Sequence, residues 1–226
     1  MKALAIDCAV SKIAIAARYD EKTVKLVYDI GIKQSEKLLP AVDFVMRELQ
    51  LVPSQLDFSC LTLGPGTFTG LRLGLSTLKA LNLACGVPVY GIPSLEAYAY
   101  PFASVESVLS LIEAKEDEYF FQFFSHGRPL TEVADSSGGD ITGLLSTERR
   151  TVVAGPAAGV FVAGARESAP LLLLESYDGG NDCTEGLFAL TERRLSAGEK
   201  GLEDYDGPVY VRKSEAELVL EAKKSL

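Results

Sequence analysis

The feature that restricts the fold of this chain most strongly is a glycine-rich segment, residues 62–75, with the sequence TLGPGTFTGLRLGL. It joins a short apolar stretch, residues 58–63, which is typical of a buried strand, to a helix predicted to begin near Gly70. Such a corner can point backbone N–H groups at an anion, or it can serve only to pack strand against helix, and the sequence leaves both interpretations open. The candidate residues of this glycine-rich corner are Gly64, Gly66, Thr67, Thr69 and Gly70.

The spacing of the corner does not match two common nucleotide-binding motifs. No Gly-Lys-Ser/Thr sequence follows it, as a Walker motif requires, and the interval from Gly66 to Gly70 is one residue too long for the dinucleotide-binding fingerprint. Glycine allows tight turns and close approach of two backbones, and Pro65 restricts one φ angle within the corner. The residues alone therefore predict a structured strand–loop–helix corner without identifying a ligand.

The rest of the chain predicts an α/β fold built from two similar blocks. In each block a meander of strands is followed by alternating helices and strands, which indicates a mixed sheet flanked by helices. We expect a first lobe over residues 1–100 and a second lobe over residues 101–213. A closing helix is predicted over residues 214–224, capped by Ser214 with Glu217 three residues later, and we expect it to pack on the first lobe.

Several short motifs occur in the same order as in a known protein family. They are LAID at residues 4–7, SEKLLP at 35–40, LGPGTFTGLRLG at 63–74, GVPVYG at 86–91, SLEA at 94–97 and PVYVR at 208–212. On these motifs the chain resembles the TsaB (YeaZ) family, the non-catalytic partner of TsaD in the bacterial synthesis of tRNA N6-threonylcarbamoyladenosine. The resemblance is dense over residues 4–97 and sparse over the second half of the chain.

This resemblance implies an actin-like, hexokinase-like ATPase (RNase H-like) fold with two mixed-sheet lobes. It implies a subunit that is not itself an enzyme, and that binds and supports TsaD in forming N6-threonylcarbamoyladenosine at position 37 of tRNAs reading ANN codons. No cofactor is expected in this subunit, since ATP and the metal are expected on TsaD. The implied partners are TsaD in a heterodimer, the TsaE ATPase through the TsaB–TsaD complex, tRNA only through the complex, and a second copy of the chain when TsaD is absent.

Charge and composition agree with these expectations. The formal net charge of −9 at pH 7 disfavours unaided binding to a phosphate backbone. The four cysteines are scattered without a C-x-x-C pair, which indicates reduced thiols and a cytoplasmic location. No stretch approaches the roughly 20 apolar residues of a membrane-spanning helix, and no signal peptide is predicted. We therefore expect no interaction with a membrane.

The helix predicted over residues 70–85 is apolar on nearly its whole circumference. Such a helix must be buried on most sides, either in the centre of the chain's own core or against a second subunit. The resemblance favours the second interpretation, and Gly70 and Gly74 would permit a partner to approach closely. Arg72 is expected to have a carboxylate, backbone or anion partner, with a structural ion pair favoured. The predicted partner or dimer interface consists of Phe44, Leu71, Arg72, Leu75, Lys79 and Asn82, with Leu75 placed away from the chain's own core.

The alternative function is a stand-alone nucleotide-binding phosphotransferase or ATPase of the actin-like class. Asp7 follows the first strand, where such ATPases hold a carboxylate near magnesium, but the next turn lacks the glycines that wrap a phosphate, so we expect Asp7 to cap that turn. No metal site is predicted, since the single histidine, His126, lies in a predicted surface turn. Cys8 and Gln34 stand where relatives commonly have threonine and histidine. The acidic segment 113–118 is expected to be a solvated hairpin.

Overall fold

The computed structural model describes residues 1–177 and 182–212. The predicted closing helix, residues 214–224, lies outside these residues. Within them the strands form a five-stranded and a six-stranded sheet, each flanked by helices. None of the helices in this part of the chain is long and apolar enough to cross a membrane.

The first sheet combines an antiparallel meander with a parallel part. Its strands are, in spatial order, β3 (Lys22–Asp29), β2 (Lys12–Tyr19), β1 (Lys2–Asp7), β4 (Phe58–Gly64) and β5 (Val89–Pro93). β1 pairs antiparallel with β2 and parallel with β4, so that Ala5 lies opposite Ala16 on one side and Cys60 on the other. Both faces of β1 are buried, which explains why its sequence is continuously apolar rather than alternating.

The second sheet repeats this topology. Its strands are, in spatial order, β11 (Leu174–Ser176), β10 (Thr151–Ala154), β6 (Val108–Lys115), β7 (Glu118–Ser125) and β8 (Arg128–Pro129), while β9 (Ala134–Ser137) also pairs with β7. β6 and β7 form an antiparallel hairpin, and β10 pairs parallel with β6 and β11. The two blocks predicted from the sequence are therefore copies of one strand order.

The helices follow the same pattern in both blocks. The first block contains α1 (Gln34–Glu48), α2 (Phe68–Cys85) and α3 (Ser94–Ala99), and the second contains α4 (Gly138–Gly143), α5 (Ala158–Ser168) and α6 (Thr184–Ser196). α2 begins two residues before the predicted start at Gly70. It ends at Cys85 and is followed by Gly86, whose φ of 72° is the left-handed conformation that commonly terminates helices.

Each sheet is covered on its outer side by two helices. α1 and α2 pack on the first sheet around a cluster that includes Ile6, Leu38, Val45, Leu75 and Leu78. α4 and α5 pack on the second sheet around a cluster that includes Leu111, Phe121, Ile141, Phe161 and Val162. In both places a stripe of apolar side chains on each helix is removed from water, which is the dominant stabilising contribution to such a layer.

A third core lies between the two sheets and is filled by α3 and α6. The first sheet contributes small side chains such as Ala3 and Ala5, and α6 contributes large ones, Leu187 and Phe188. α6, which ends the second block, packs on β1 and β4, whereas α3, which ends the first block, packs on β6. The two sheets therefore share this central core, and the division of the chain near residue 100 stays a prediction.

After α6 the chain crosses the first lobe as an extended segment, residues 201–212, which we call the strap. The N–H groups of Leu202 and Val209 donate to carbonyl oxygens on β5 and β4, at 2.6 and 2.8 Å. Arg212 then forms ion pairs with carboxylates on β7 and β9. The strap thus runs along the first sheet and α2 and is fastened to the second sheet.

Candidate functional site

The glycines of the corner are required by close packing within the chain itself. A Cβ atom on Gly66 would lie 2.4 Å from the carbonyl oxygen of Ala9, and one on Gly70 would lie 2.0 Å from that of Cys8. Both oxygens belong to the turn between β1 and β2. Gly64 has a φ of +129°, and its Cβ would lie 2.2 Å from a carbonyl oxygen of the strap. No larger residue fits these positions without moving a backbone.

Two N–H groups of the corner are already used by the chain. The N–H of Thr67 donates to the carbonyl oxygen of Ala9 at 2.7 Å, and the N–H of Gly64 donates to Ser94 Oγ at 3.2 Å. The side chains of Thr67 and Thr69 are exposed. Of the two interpretations left open by the sequence, the packing interpretation accounts for all three glycines.

The predicted interface is wrong for the two leucines at its centre. Leu71 and Leu75 are 1% and 7% exposed, and Leu75 belongs to the core cluster between the first sheet and α1. Gly74 is also turned inward, against Ile6 and Leu61. These positions face the chain's own sheet, so they are not available to a second subunit.

The polar residues predicted for the interface contact the chain itself. The guanidinium carbon of Arg72 lies 3.7 Å from the centre of the Phe68 ring, and its Nε donates to the Tyr210 hydroxyl at 2.9 Å. The partner of Arg72 is therefore an aromatic pair with a hydroxyl rather than the ion pair that we expected. Lys79 donates to three carbonyl oxygens of the strap. Asn82 donates to a carbonyl just beyond the helix, at 2.9 Å.

An exposed apolar surface nevertheless exists on α1 and α2. Phe44 is 48% exposed, and Leu83, which the sequence reasoning missed, is 90% exposed. Leu83 lies about 140° around the helix from the buried Leu78, but on a helix that is apolar all round the sequence does not show which of the two faces the sheet. We call this surface the α1–α2 face and define it by the exposed Phe44 of α1 and the exposed Ala80 and Leu83 of α2.

Asp7 is completely buried and accepts four hydrogen bonds. Its Oδ1 accepts from the Ala9 N–H at 3.0 Å and the Thr62 hydroxyl at 3.1 Å, and its Oδ2 accepts from the Tyr98 hydroxyl at 2.6 Å and the Cys183 thiol at 3.3 Å. Burial raises the pKa of Asp7, and the donors oppose this shift. The expected capping of the turn is confirmed, and the same carboxylate also ties α3 and the start of α6 to β1.

The two departures from the family pattern are accommodated structurally. The side-chain nitrogen of Gln34 donates to the carbonyl oxygens of Val10 and Ser11, at 2.6 and 3.0 Å. It thereby holds the turn after β1 from the first residue of α1. Cys8 is buried in the same turn, and burial raises the pKa of its thiol well above the ordinary value. Both residues stabilise the turn on which the corner packs.

In the second lobe, His126 and the acidic segment 113–118 lie in the kinds of environment that the sequence predicted. His126 is exposed in a turn, with a φ of +47°, and residues 113–118 form the solvated end of the β6–β7 hairpin. This hairpin, the turn after β1 and the corner enclose a cleft of about 440 Å³ whose lining includes Lys12, Thr67, Glu113, Lys115 and Pro156. Among the described residues no three His, Cys, Asp or Glu side chains are placed to hold a metal ion together.

Comparison with known proteins finds a matching family model and several sequence relatives. A family model described as TsaD, tRNA N6-adenosine threonylcarbamoyltransferase, matches residues 31–139. An uncharacterized protein of Mycobacterium tuberculosis is 28% identical over 155 residues, which are 69% of this chain and 66% of that protein. The tRNA threonylcarbamoyladenosine biosynthesis protein TsaB of Haemophilus influenzae is 26% identical over 121 residues, 52% of this chain and 51% of that protein. The chain thus spans about two thirds of the length of the first of these curated relatives and about half of the second.

A solved structure, YeaZ from Pseudomonas aeruginosa, superposes with a TM-score of 0.75 at 22% identity and covers 93% of this chain and 99% of its own. This similarity confirms the predicted actin-like α/β fold with two mixed sheets and flanking helices. Further TsaB proteins, from Bacillus subtilis and Buchnera aphidicola, are 25% and 26% identical to the chain over 58% and 42% of its length. The sequence relatives and the shared fold together confirm the predicted similarity of the chain to the TsaB (YeaZ) family.

Proposed function

We propose that this chain is a non-catalytic subunit in the synthesis of N6-threonylcarbamoyladenosine at position 37 of tRNAs reading ANN codons, where it binds and supports TsaD. The observation that carries the proposal is the α1–α2 face. Its side chains are exposed although the helices that carry them are packed on the sheet by other residues. Exposed apolar side chains on two neighbouring helices are typical of a surface that binds another protein.

The geometry of the corner and of Asp7 supports a role without catalysis. An ATPase of this class needs a carboxylate that can hold hydrated magnesium and a loop that can wrap phosphate. Here both oxygens of Asp7 accept hydrogen bonds from protein donors. Gly66 and Gly70 are packed against the turn after β1. The alternative, a stand-alone phosphotransferase or ATPase, therefore has less support, and titration of the isolated chain with Mg-ATP in a calorimeter tests it directly.

The other members of the proposed assembly follow from the family and from charge. ATP and the metal belong to TsaD in this proposal, TsaE joins through the TsaB–TsaD complex, and the proteins act in the cytoplasm. A net charge of −9 favours contact with tRNA only through the complex. When TsaD is absent, the α1–α2 face is expected to pair with a second copy of the chain.

The decisive experiment replaces Leu83 with glutamate and measures TsaD binding and tRNA modification. Leu83 is 90% exposed, so Leu83→Glu leaves the monomer folded, while an unpaired carboxylate inside the interface weakens binding at least about tenfold. The matched control is Leu144→Glu, at a leucine 63% exposed on the second lobe, which leaves binding unchanged. Circular dichroism establishes that both variants are folded. Normal TsaD binding by Leu83→Glu would refute the proposed face.

A further inference from the structure

The strap carries a tight turn, residues 203–206, whose backbone is held at several points. The N–H of Asp206 donates to the carbonyl oxygen of Glu203 at 3.1 Å. In the reverse direction, the N–H of Glu203 donates to the Asp206 carboxylate at 2.7 Å. The neighbouring Leu202 is fixed to edge strand β5. The two reciprocal hydrogen bonds close the turn on itself.

Lys79 of α2 fastens this turn to the helix. Its ammonium group donates to the carbonyl oxygens of Glu203, Asp204 and Asp206, at 2.9, 2.7 and 2.6 Å. A lysine ammonium has three N–H donors, so its whole donor capacity is used here. The cation that the sequence predicted to contact a partner instead holds the turn in place.

The side chain at the tip of this fixed turn is exposed to solvent. Tyr205 is fully exposed, while the backbone on both sides of it is bonded to Lys79. Leu83, the most exposed residue of the α1–α2 face, follows Lys79 by four residues on α2, about one helical turn. Lys79 therefore connects the turn that carries the tyrosine to the helix that carries the leucine. Tyrosine held on an ordered backbone binds at low entropic cost, which is why it is enriched at interface hot spots.

We infer that the turn 203–206 extends the docking surface for TsaD and that Tyr205 is an anchor of that surface. The inference rests on the proposed function. Glu203 and Asp204 are exposed beside the tyrosine. The complementary site on the partner is an apolar pocket for a phenol ring with lysine or arginine side chains at its rim.

The first test compares Tyr205→Ala with Tyr177→Ala, a half-exposed tyrosine on the second lobe. Tyr205→Ala is expected to weaken TsaD binding at least about tenfold without lowering the melting temperature, and Tyr177→Ala is expected to leave binding unchanged. Replacement of Tyr205 by the photoreactive benzoylphenylalanine should yield a crosslink to TsaD. Equal affinity of Tyr205→Ala and the wild type, or absence of the crosslink when the benzoylphenylalanine variant is bound to TsaD, would overturn the inference.

A second test examines how Lys79 acts. Lys79→Met frees the turn, so it should weaken TsaD binding in the wild-type background and have little effect when Tyr205 is already alanine. Equal losses in both backgrounds would show that Lys79 does not act through the tyrosine. Joint replacement by Glu203→Gln and Asp204→Asn should slow association most at low ionic strength. An unchanged association rate would contradict the cationic rim.

The outcomes separate this inference from the proposed function. If Leu83→Glu abolishes TsaD binding and Tyr205→Ala does not, the function stands and the inference is wrong. If the wild-type chain does not bind TsaD at all, the proposed function is wrong and the inference falls with it. If Tyr205→Ala weakens self-association in sedimentation experiments but not TsaD binding, a second copy of the chain is the occupant, which also overturns the inference.

Discussion

Two glycines on one helix should respond in opposite ways to alanine. Gly70 and Gly74 lie one helical turn apart in α2, and both could be read as sites for close approach of a partner. In the structure a Cβ atom on Gly70 meets the backbone oxygen of Cys8 at 2.0 Å, whereas one on Gly74 has ordinary contacts, the nearest being Ile6 Cγ2 at 3.6 Å. Only Gly70→Ala therefore forces the backbone to move.

The magnitudes follow from these distances. For Gly70→Ala, α2 and the turn after β1 must separate by about 1 Å to reach the 3.0 Å that real Cβ contacts respect. Overpacking of this kind costs about 1–3 kcal/mol or more, and the upper end applies because both groups are backbone. The better helix propensity of alanine returns about 0.5–1 kcal/mol, which leaves a net loss of about 2 kcal/mol. Gly74→Ala receives the propensity gain without the clash and should be about 0.5–1 kcal/mol more stable than the wild type.

Urea denaturation and thermal melting of the two variants measure this difference. For a chain of this size, about 2 kcal/mol lowers the melting temperature by roughly 4–8 °C, and the gain at Gly74 raises it by roughly 1–4 °C. TsaD binding by the folded Gly74→Ala variant should be normal, because that residue faces the chain's own core. A Gly74→Ala variant that is stable but fails to bind TsaD would show that the helix meets its partner at this position, and our placement of the face would be wrong.

Three further outcomes are expected. Leu75→Glu should strongly destabilise the protein, because a carboxylate among the buried side chains costs on the order of 4 kcal/mol. Leu75→Met should cost less than about 1.5 kcal/mol in circular dichroism melting, and a Leu75→Glu variant as stable as the wild type would contradict the burial. Arg212→Gln should keep the free energy of unfolding within about 1 kcal/mol of the wild type, since the ion pairs of Arg212 are partly exposed. It should accelerate amide hydrogen exchange at Val209, because the end of the strap is freed. Unchanged exchange would show that the ion pairs do not hold the strap. Burial raises the pKa of Asp7, so the stability that its proton contributes is present below the unfolded pKa and is lost as pH rises through the folded pKa. In urea titrations the stability of the wild type relative to Asp7→Asn should therefore be greatest in acid and decrease toward neutral pH. An increase toward neutral pH would mean that the four donors outweigh desolvation.

The regular part of the fold could be predicted from local patterns. The strand predicted over residues 58–63 and the helix predicted to follow it occur as β4 and α2 within two residues of the expected bounds. The repeat was also predictable, because both blocks show the same succession of meander and alternation. These features depend on residues close together in sequence, where periodicity and glycine positions carry the information.

The composition of the candidate site was less predictable. On a helix that is apolar all round, the pattern cannot decide whether Leu75 or Leu83 faces the sheet, because both are leucine. The contacts of Lys79 come from the strap, more than a hundred residues later, and no local pattern reports them. The exposed Tyr205 was missed for the same reason. Its environment depends on where the strap crosses α2, and that position is set by the tertiary structure.

The second block explains why the corner of the first is so rich in glycine. Gly155 directly follows β10, and Gly64 is the last residue of β4. Both have positive φ, +104° and +129°, and both precede a proline. One Gly-Pro pair at this place is therefore a requirement of the repeated strand-to-helix corner. In the second block Ala157 and Ala158 follow, and Pro156 and Ala157 line the open cleft. In the first block Gly66 and Gly70 follow instead and let α2 close on the turn after β1. The additional glycines thus seat the start of α2 on that turn, and the surface that this helix still presents is its outer face, beside the strap.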